Sequence, residues 1–176
     1  MVNSRFTLAL TVSVFAALTG IPLAGPADAA APLLTCDETG KVRWDAPGIG
    51  DSPAKIHWTD EITFTNCTGT AVDKGLPIPK SETDDGTETA SCGQETTDNT
   101  STGTITWSFG EDSKVSSGGH AKHNKHKKSR PGVFPTRIDT GNYKGKSATD
   151  SNTVTSEQPC PGVTSATLVG TFTITS

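Results

Sequence analysis

The 176-residue chain is short of the residues that usually fill a protein core: it holds one methionine, one tyrosine, three tryptophans and six phenylalanines. Any core must therefore be lean and lean heavily on aliphatic and β-branched side chains. Beyond residue 30 no apolar run approaches the roughly 20 residues that a membrane-spanning helix requires. Nor does any stretch there repeat apolar residues at the 3.6 spacing of an amphipathic helix, which argues against a helical fold. No Cys-x-x-Cys pair occurs, so the spacing that starts a cysteine-ligated zinc centre is missing. Gly-x-Ser-x-Gly and His-Glu-x-x-His are absent too, which removes the nucleophile elbow of many serine hydrolases and the zinc helix of metalloproteases.

The N-terminus has the make-up of an export signal. Arg5 supplies positive charge, Phe6 to Leu18 form an apolar stretch broken only by Thr and Ser, and Ala27-Asp28-Ala29 is a small-residue cleavage site. Cleavage after Ala29 leaves one domain, residues 30–176, expected to be free outside the cell with no membrane attachment. All four cysteines, Cys36, Cys67, Cys92 and Cys160, fall in this part. An even count in an exported chain reads as two disulfides.

Period-two patterning dominates the mature chain. In "KIHWTDEITFTNC", Ile56, Trp58, Ile62 and Phe64 share one parity, and Asp60 marks a possible bulge or break. "TGTITWSFG" places Ile105, Trp107 and Phe109 on one face, and "SATLVGTFTITS" does so with Ala166, Leu168, Gly170, Phe172 and Ile174. Thr is abundant, and Gly, Pro and Asp punctuate the chain at the intervals expected of an all-β sandwich. "TGKVRW" and "TGTITW" share a Thr-Gly-x-β-x-Trp pattern, which suits two central strands that each send a Trp into the core.

Turn placement assigns the disulfides. "APGIGDSPAK" centres on Asp51–Ser52, so an antiparallel pair folded about it sets side by side residues whose numbers add to about 103. Cys36 and Cys67 meet that condition, which leaves Cys92 with Cys160. On the chain-entropy relation each closure stabilises the fold by about 4 kcal/mol.

The segments Cys36, "TGKVRWDAPG", "EITFTNCTGT", Cys92, "TGTITWSFGEDS", "GNYKGKS" and "PCPGVTSATLVGTFTIT" resemble a group of small secreted actinobacterial proteins without an established activity. The resemblance spans nearly the whole mature chain, though its motifs are structural punctuation. It implies an antiparallel immunoglobulin-like β-sandwich of about seven to nine strands with two disulfides, and it implies secretion. A departure from that pattern is the basic, histidine-rich stretch at residues 120–130.

That stretch, "HAKHNKHKKSR", is a positive island. The mature chain carries 14 basic and 18 acidic residues, a net −4, yet without residues 120–130 the balance falls to −9. Gly118–Gly119 and Pro131–Gly132 flank it, which suggests a loop between strands. His120, His123 and His126 could ligate a metal only if the loop wrapped it, and the neighbouring lysines oppose a dication. Anion binding fits better: Lys122, Lys125, Lys127, Lys128 and Arg130 attract polyanions, and the three histidines add charge in mild acid. No aromatic is interleaved, so specific nucleic-acid binding is not indicated, and an anionic cell-wall polymer is the natural partner. An inert, solvated tip is the competing reading.

Other motifs are weaker. "GNYKGKS" at residues 141–147 lacks the first glycine of a phosphate-binding loop, since Thr140 stands there. His57 reads as a solvated strand histidine. Asp84–Asp85 and Glu111–Asp112 read as exposed turn residues without the burial that acid–base hydrolysis needs, and Glu82, Asp84, Asp85 and Glu88 as a weak calcium site at most. Asn66 and Asn99 match the glycosylation sequon, with no weight attached in a chain of this resemblance. The expected function is thus a secreted, non-enzymatic protein without cofactor that docks on an anionic polymer. The alternative is an extracellular hydrolase or hydrolase inhibitor with a loop-built site.

Overall fold

Stretches in which alternate residues tend to be buried become eight long strands. They are β1 (Leu34–Trp44), β2 (Ala54–Thr68), β3 (Pro79–Ala90), β4 (Thr96–Trp107), β5 (Ser113–Ala121), β6 (Ser129–Ile138), β7 (Ser147–Thr155) and β8 (Ser165–Ile174), with one helical turn, α1 (Thr70–Asp73), after β2. The computed structural model describes residues 32–122 and 129–175. The segment read as an export signal lies outside these residues, as do His123, Lys125, His126, Lys127 and Lys128.

Each strand pairs antiparallel with its neighbour in the chain, and β1 also pairs with β8 from Leu34↔Ile174 to Arg43↔Ser165. The sheet therefore closes into an eight-stranded barrel. The antiparallel all-β fold and both disulfides match expectation, but the immunoglobulin-like sandwich does not. A sandwich and a barrel bury the same alternate residues, so parity cannot separate them. Pairing between the first strand and the last decides the matter, because it closes a single sheet on itself and leaves none of the open edges that the two sheets of a sandwich have.

The first disulfide lies where turn symmetry puts it. Thr35 faces Thr68, Asp37 faces Thr65, and the register shift between those pairs holds Cys36 beside Cys67. Cys92–Cys160 ties the β3–β4 connection to the β7–β8 connection at the opposite end. Both bonds belong to the chemistry of oxidising compartments. Among the described residues no helix is long and apolar enough to cross a membrane.

The two halves of the barrel differ. Around the start of β1 the interior is packed with Leu34, Ile105, Ile138, Ile174 and the Phe64–Phe172 ring pair, whose centroids are 5.3 Å apart. Buried Ala71 of α1 packs against this end, and its N–H donates to Leu33 O. Trp107 also sits here, donating to Ser113 Oγ and lying 5.0 Å from the Tyr143 ring. Trp44 ends β1 at the far end, so the two "TG-x-β-x-W" strands each bury their tryptophan, at opposite ends of the barrel. Phe109, expected inward, is 56% exposed, because β4 stops at Trp107 and the chain turns away.

Candidate functional site

The unusual part of the barrel is its middle. Inward parity that begins with apolar residues continues, on four strands, into carboxylates: Glu38 on β1, Asp60 on β2, Glu82 and Asp84 on β3, and Asp150 on β7. Glu38, Asp60 and Glu82 are buried, and Asp84 and Asp150 are half-buried. Asp60 continues the parity of Trp58, Ile62 and Phe64 without a bulge, and its Oδ1 accepts from the Asp84 N–H at 3.1 Å. Two glycines make room for this belt. A Cβ on Gly103 would collide with the Asp84 carboxylate, and one on Gly170 would stand 2.6 Å from Glu38 Oε1.

Nothing among the described residues neutralises these acids by an ion pair. The salt bridges there join His57 to Asp45 and Asp85, and Arg137 to Asp139, all on the outer surface. Among the described residues no N–H donor reaches the Glu38 carboxylate, and the group it meets is the Asp150 carboxyl, with which it can share a proton. The belt consequently holds protons. Burial, and then the Asp150 charge, push the Glu38 carboxyl up to about 10. Burial and then Asp84 raise Asp60 to about 8, while burial and then Asp150 raise Asp84 to about 6. Glu82 and Asp150 are raised as well, chiefly by burial.

Above the belt, toward the Trp44 end, lies a cavity of about 60 Å³. At roughly 10–15 Å³ per water centre this is space for a handful of waters. Its walls combine Asp60, Glu82, Asp84 and Asp150 with the rings of Trp44, Trp58 and Phe134. Glu88 also faces it, accepting from Trp44 Nε1 at 2.7 Å and from Asn99 Nδ2 at 3.1 Å. Burial raises the Glu88 carboxyl, against the opposing pull of those two donors and of Arg130. A second hollow of about 180 Å³ shares Trp44, Arg130 and Val154 with the first, and Ile49, Val163, Ala166 and the Cys92–Cys160 bridge also line it. Among the described residues no trio of His, Cys, Asp or Glu converges tightly enough to ligate a metal ion.

The basic stretch divides. β5 runs on to Ala121 and β6 begins at Ser129, so strands take up both ends of the expected loop. His120 and Lys122 are exposed. Arg130 turns to the barrel mouth, where Nη1 donates to Thr96 Oγ1 at 2.9 Å and Gln94 O at 3.2 Å, and Nη2 donates to Ser91 O. It is thereby committed to bracing the β3–β4 connection. The remaining residues of the island, including two of the three histidines, fall outside the described residues.

The carboxylate belt was missed from sequence. Asp84 read as part of an exposed acidic turn, and Glu82 and Glu88 joined it only as a weak calcium site, whereas all three alternate inward along strand β3 while Thr83, Asp85 and Thr87 alternate outward. The available signal was parity: Glu38 is in step with Leu34, Cys36, Val42 and Trp44, and Asp60 with Trp58 and Ile62. Compared with models of protein families, with curated proteins and with solved structures, the chain matches none of them.

Proposed function

We propose that this chain is an exported, non-enzymatic binding barrel that holds a small organic cation in its interior. The observation that carries the reading is the belt of Glu38, Asp60, Glu82, Asp84 and Asp150, sequestered without a cationic side chain paired to it among the described residues. Burying several acids together is costly unless protons or a positive charge neutralise them, and a bound cation would take over from protons the belt otherwise holds. The aromatic faces of Trp44, Trp58 and Phe134 on the same cavity suit a cation, which is drawn to a ring's negative face. Export is supported by the leader-like N-terminus and the two disulfides.

Convergent buried carboxylates also favour a hydrolase, since acid–base hydrolysis uses one protonated and one ionised carboxyl. Glycoside hydrolysis, however, needs two carboxyls set a fixed distance apart across a bound sugar, whereas the acids here form a contiguous belt around an inner cavity with space for a handful of waters. Docking on a wall polymer draws support only from the charge island, and Arg130 of that island is engaged at the mouth.

The test is a titration of the mature protein at pH 8 with small alkylammonium ions and their neutral alcohol isosteres, followed by tryptophan fluorescence and thermal shift. Saturable responses to the cations, absent with the alcohols and weakened at least ten-fold in Asp60→Asn/Asp84→Asn, are expected. Silence toward every cation, or equal responses to the alcohols, defeats the reading.

A further inference from the structure

Inside the cavity the polar groups are unevenly matched. Asn99 and Asn152 line it, and each is 6% exposed. Their amide nitrogens are occupied: Asn99 Nδ2 donates to Glu88, and Asn152 Nδ2 donates to both Asp150 oxygens at 2.9 Å. That fixes each amide so that Oδ1 is the free end, and both Oδ1 atoms are buried without a partner. Among the described residues the cavity walls thus hold two orphaned acceptors against one orphaned donor, Trp58 Nε1.

A buried acceptor left unpaired is expensive, so the fitting occupant is rich in N–H donors. A protonated primary amine brings three donors and no acceptor on a head small enough for the inner cavity. A quaternary ammonium ion carries the same charge but no N–H. The adjoining hollow is lined by Trp44, Ile49, Val154, Val163 and Ala166 beside Arg130, Ser156 and Gln158; its apolar surface suits an apolar body, and the Arg130 charge disfavours a second cation there.

Resting on the cation-binding reading above, we infer that the ligand class is a primary ammonium compound with a compact apolar body. Its head is held between the Asn99 and Asn152 carbonyl oxygens and the carboxylates below them, and its body lies against Trp44 in the outer hollow. Alkylammonium heads keep their proton at pH 8, because their pKa lies near that of lysine, about 10.4.

The experiment is calorimetric titration of the mature protein at pH 8 with n-pentylammonium, n-pentyltrimethylammonium and methylammonium chlorides, on the parent and on Asn99→Leu/Asn152→Leu. Leucine keeps the volume and removes the acceptor. The parent should bind n-pentylammonium about ten-fold or more tighter than either competitor, the loss expected for missing charged hydrogen bonds or missing apolar contact. In the double variant n-pentylammonium should weaken to the level of the trimethyl compound, whose own affinity stays put. Equal binding of the primary and quaternary ions by the parent overturns the donor argument while leaving the cation-binding barrel standing. Equal binding of methylammonium and n-pentylammonium overturns the assignment of the outer hollow. Absence of binding by all three ions defeats the underlying function as well.

Discussion

Glu38→Gln should make the barrel more stable at neutral pH, and more so as pH rises. Glu38 is 1% exposed, and among the described residues no N–H donor reaches its carboxylate, which meets the Asp150 carboxyl instead. Its carboxyl stands at about 10 in the folded chain against an ordinary 4.5, because burial and the Asp150 charge both penalise the ionised form. The folded state therefore binds the proton more tightly than the unfolded state does. Stability linked to Glu38 is complete below pH 4.5 and is lost as pH rises toward the folded value. At pH 7 the loss spans about 2.5 pH units at about 1.36 kcal/mol each, or about 3 kcal/mol. A glutamine amide does not titrate, and it can donate to Asp150. Urea denaturation of parent and variant between pH 5 and 8.5 would show the difference as a midpoint shift of roughly 1–3 M at pH 7, from typical urea slopes of about 1–3 kcal/mol/M. The gap should narrow toward pH 5. Parallel stability curves for the two proteins across that range would refute the picture of an uncompensated, protonated interior.

Two further outcomes follow from the geometry. Gly170→Ala should destabilise by about 1–3 kcal/mol in the same denaturation assay, because the added Cβ would lie 2.5 Å from the Ser151 carbonyl oxygen, which is part of the sheet and has little freedom to retreat. His57, held between Asp85 at 3.0 Å and Asp45 at 3.1 Å, should titrate above 6.5 by NMR, since those hydrogen bonds favour its charged form. The stability it contributes is present below 6.5 and lost as pH rises through the folded value, and Asp85→Asn should lower the titration midpoint.

The linear chain contained more of this site than its composition suggests. Trp58, Ile62 and Phe64 announce an inward face, and Asp60 sits on it. Taken as a break in the pattern, Asp60 suggests a bulge; taken as a member, it is a buried acid. The β3 stretch "SETDDGTETA" is harder, because both of its parities are polar and hydrophobic contrast is what marks a buried face. Its burial becomes visible only when its neighbours are known, with Trp58 opposite Gly86 on one side and Ser101 opposite Gly86 on the other. Phe109 shows the reverse error: parity continued past the point where pairing ends, and the ring is exposed.

By itself the sequence determined the class of structure: antiparallel strands read from alternation, and the Cys36–Cys67 and Cys92–Cys160 bonds read from turn symmetry and elimination. Those features depend on local spacing, which the linear order of residues contains. Only the tertiary structure decided that β1 closes on β8, that acids from four separate strands share one interior, and that Arg130 leaves the basic island to brace the mouth. The physical reason is that each of these depends on distance through space across the barrel. A carboxylate on one strand acquires its chemistry from the groups that face it on strands far away in the chain.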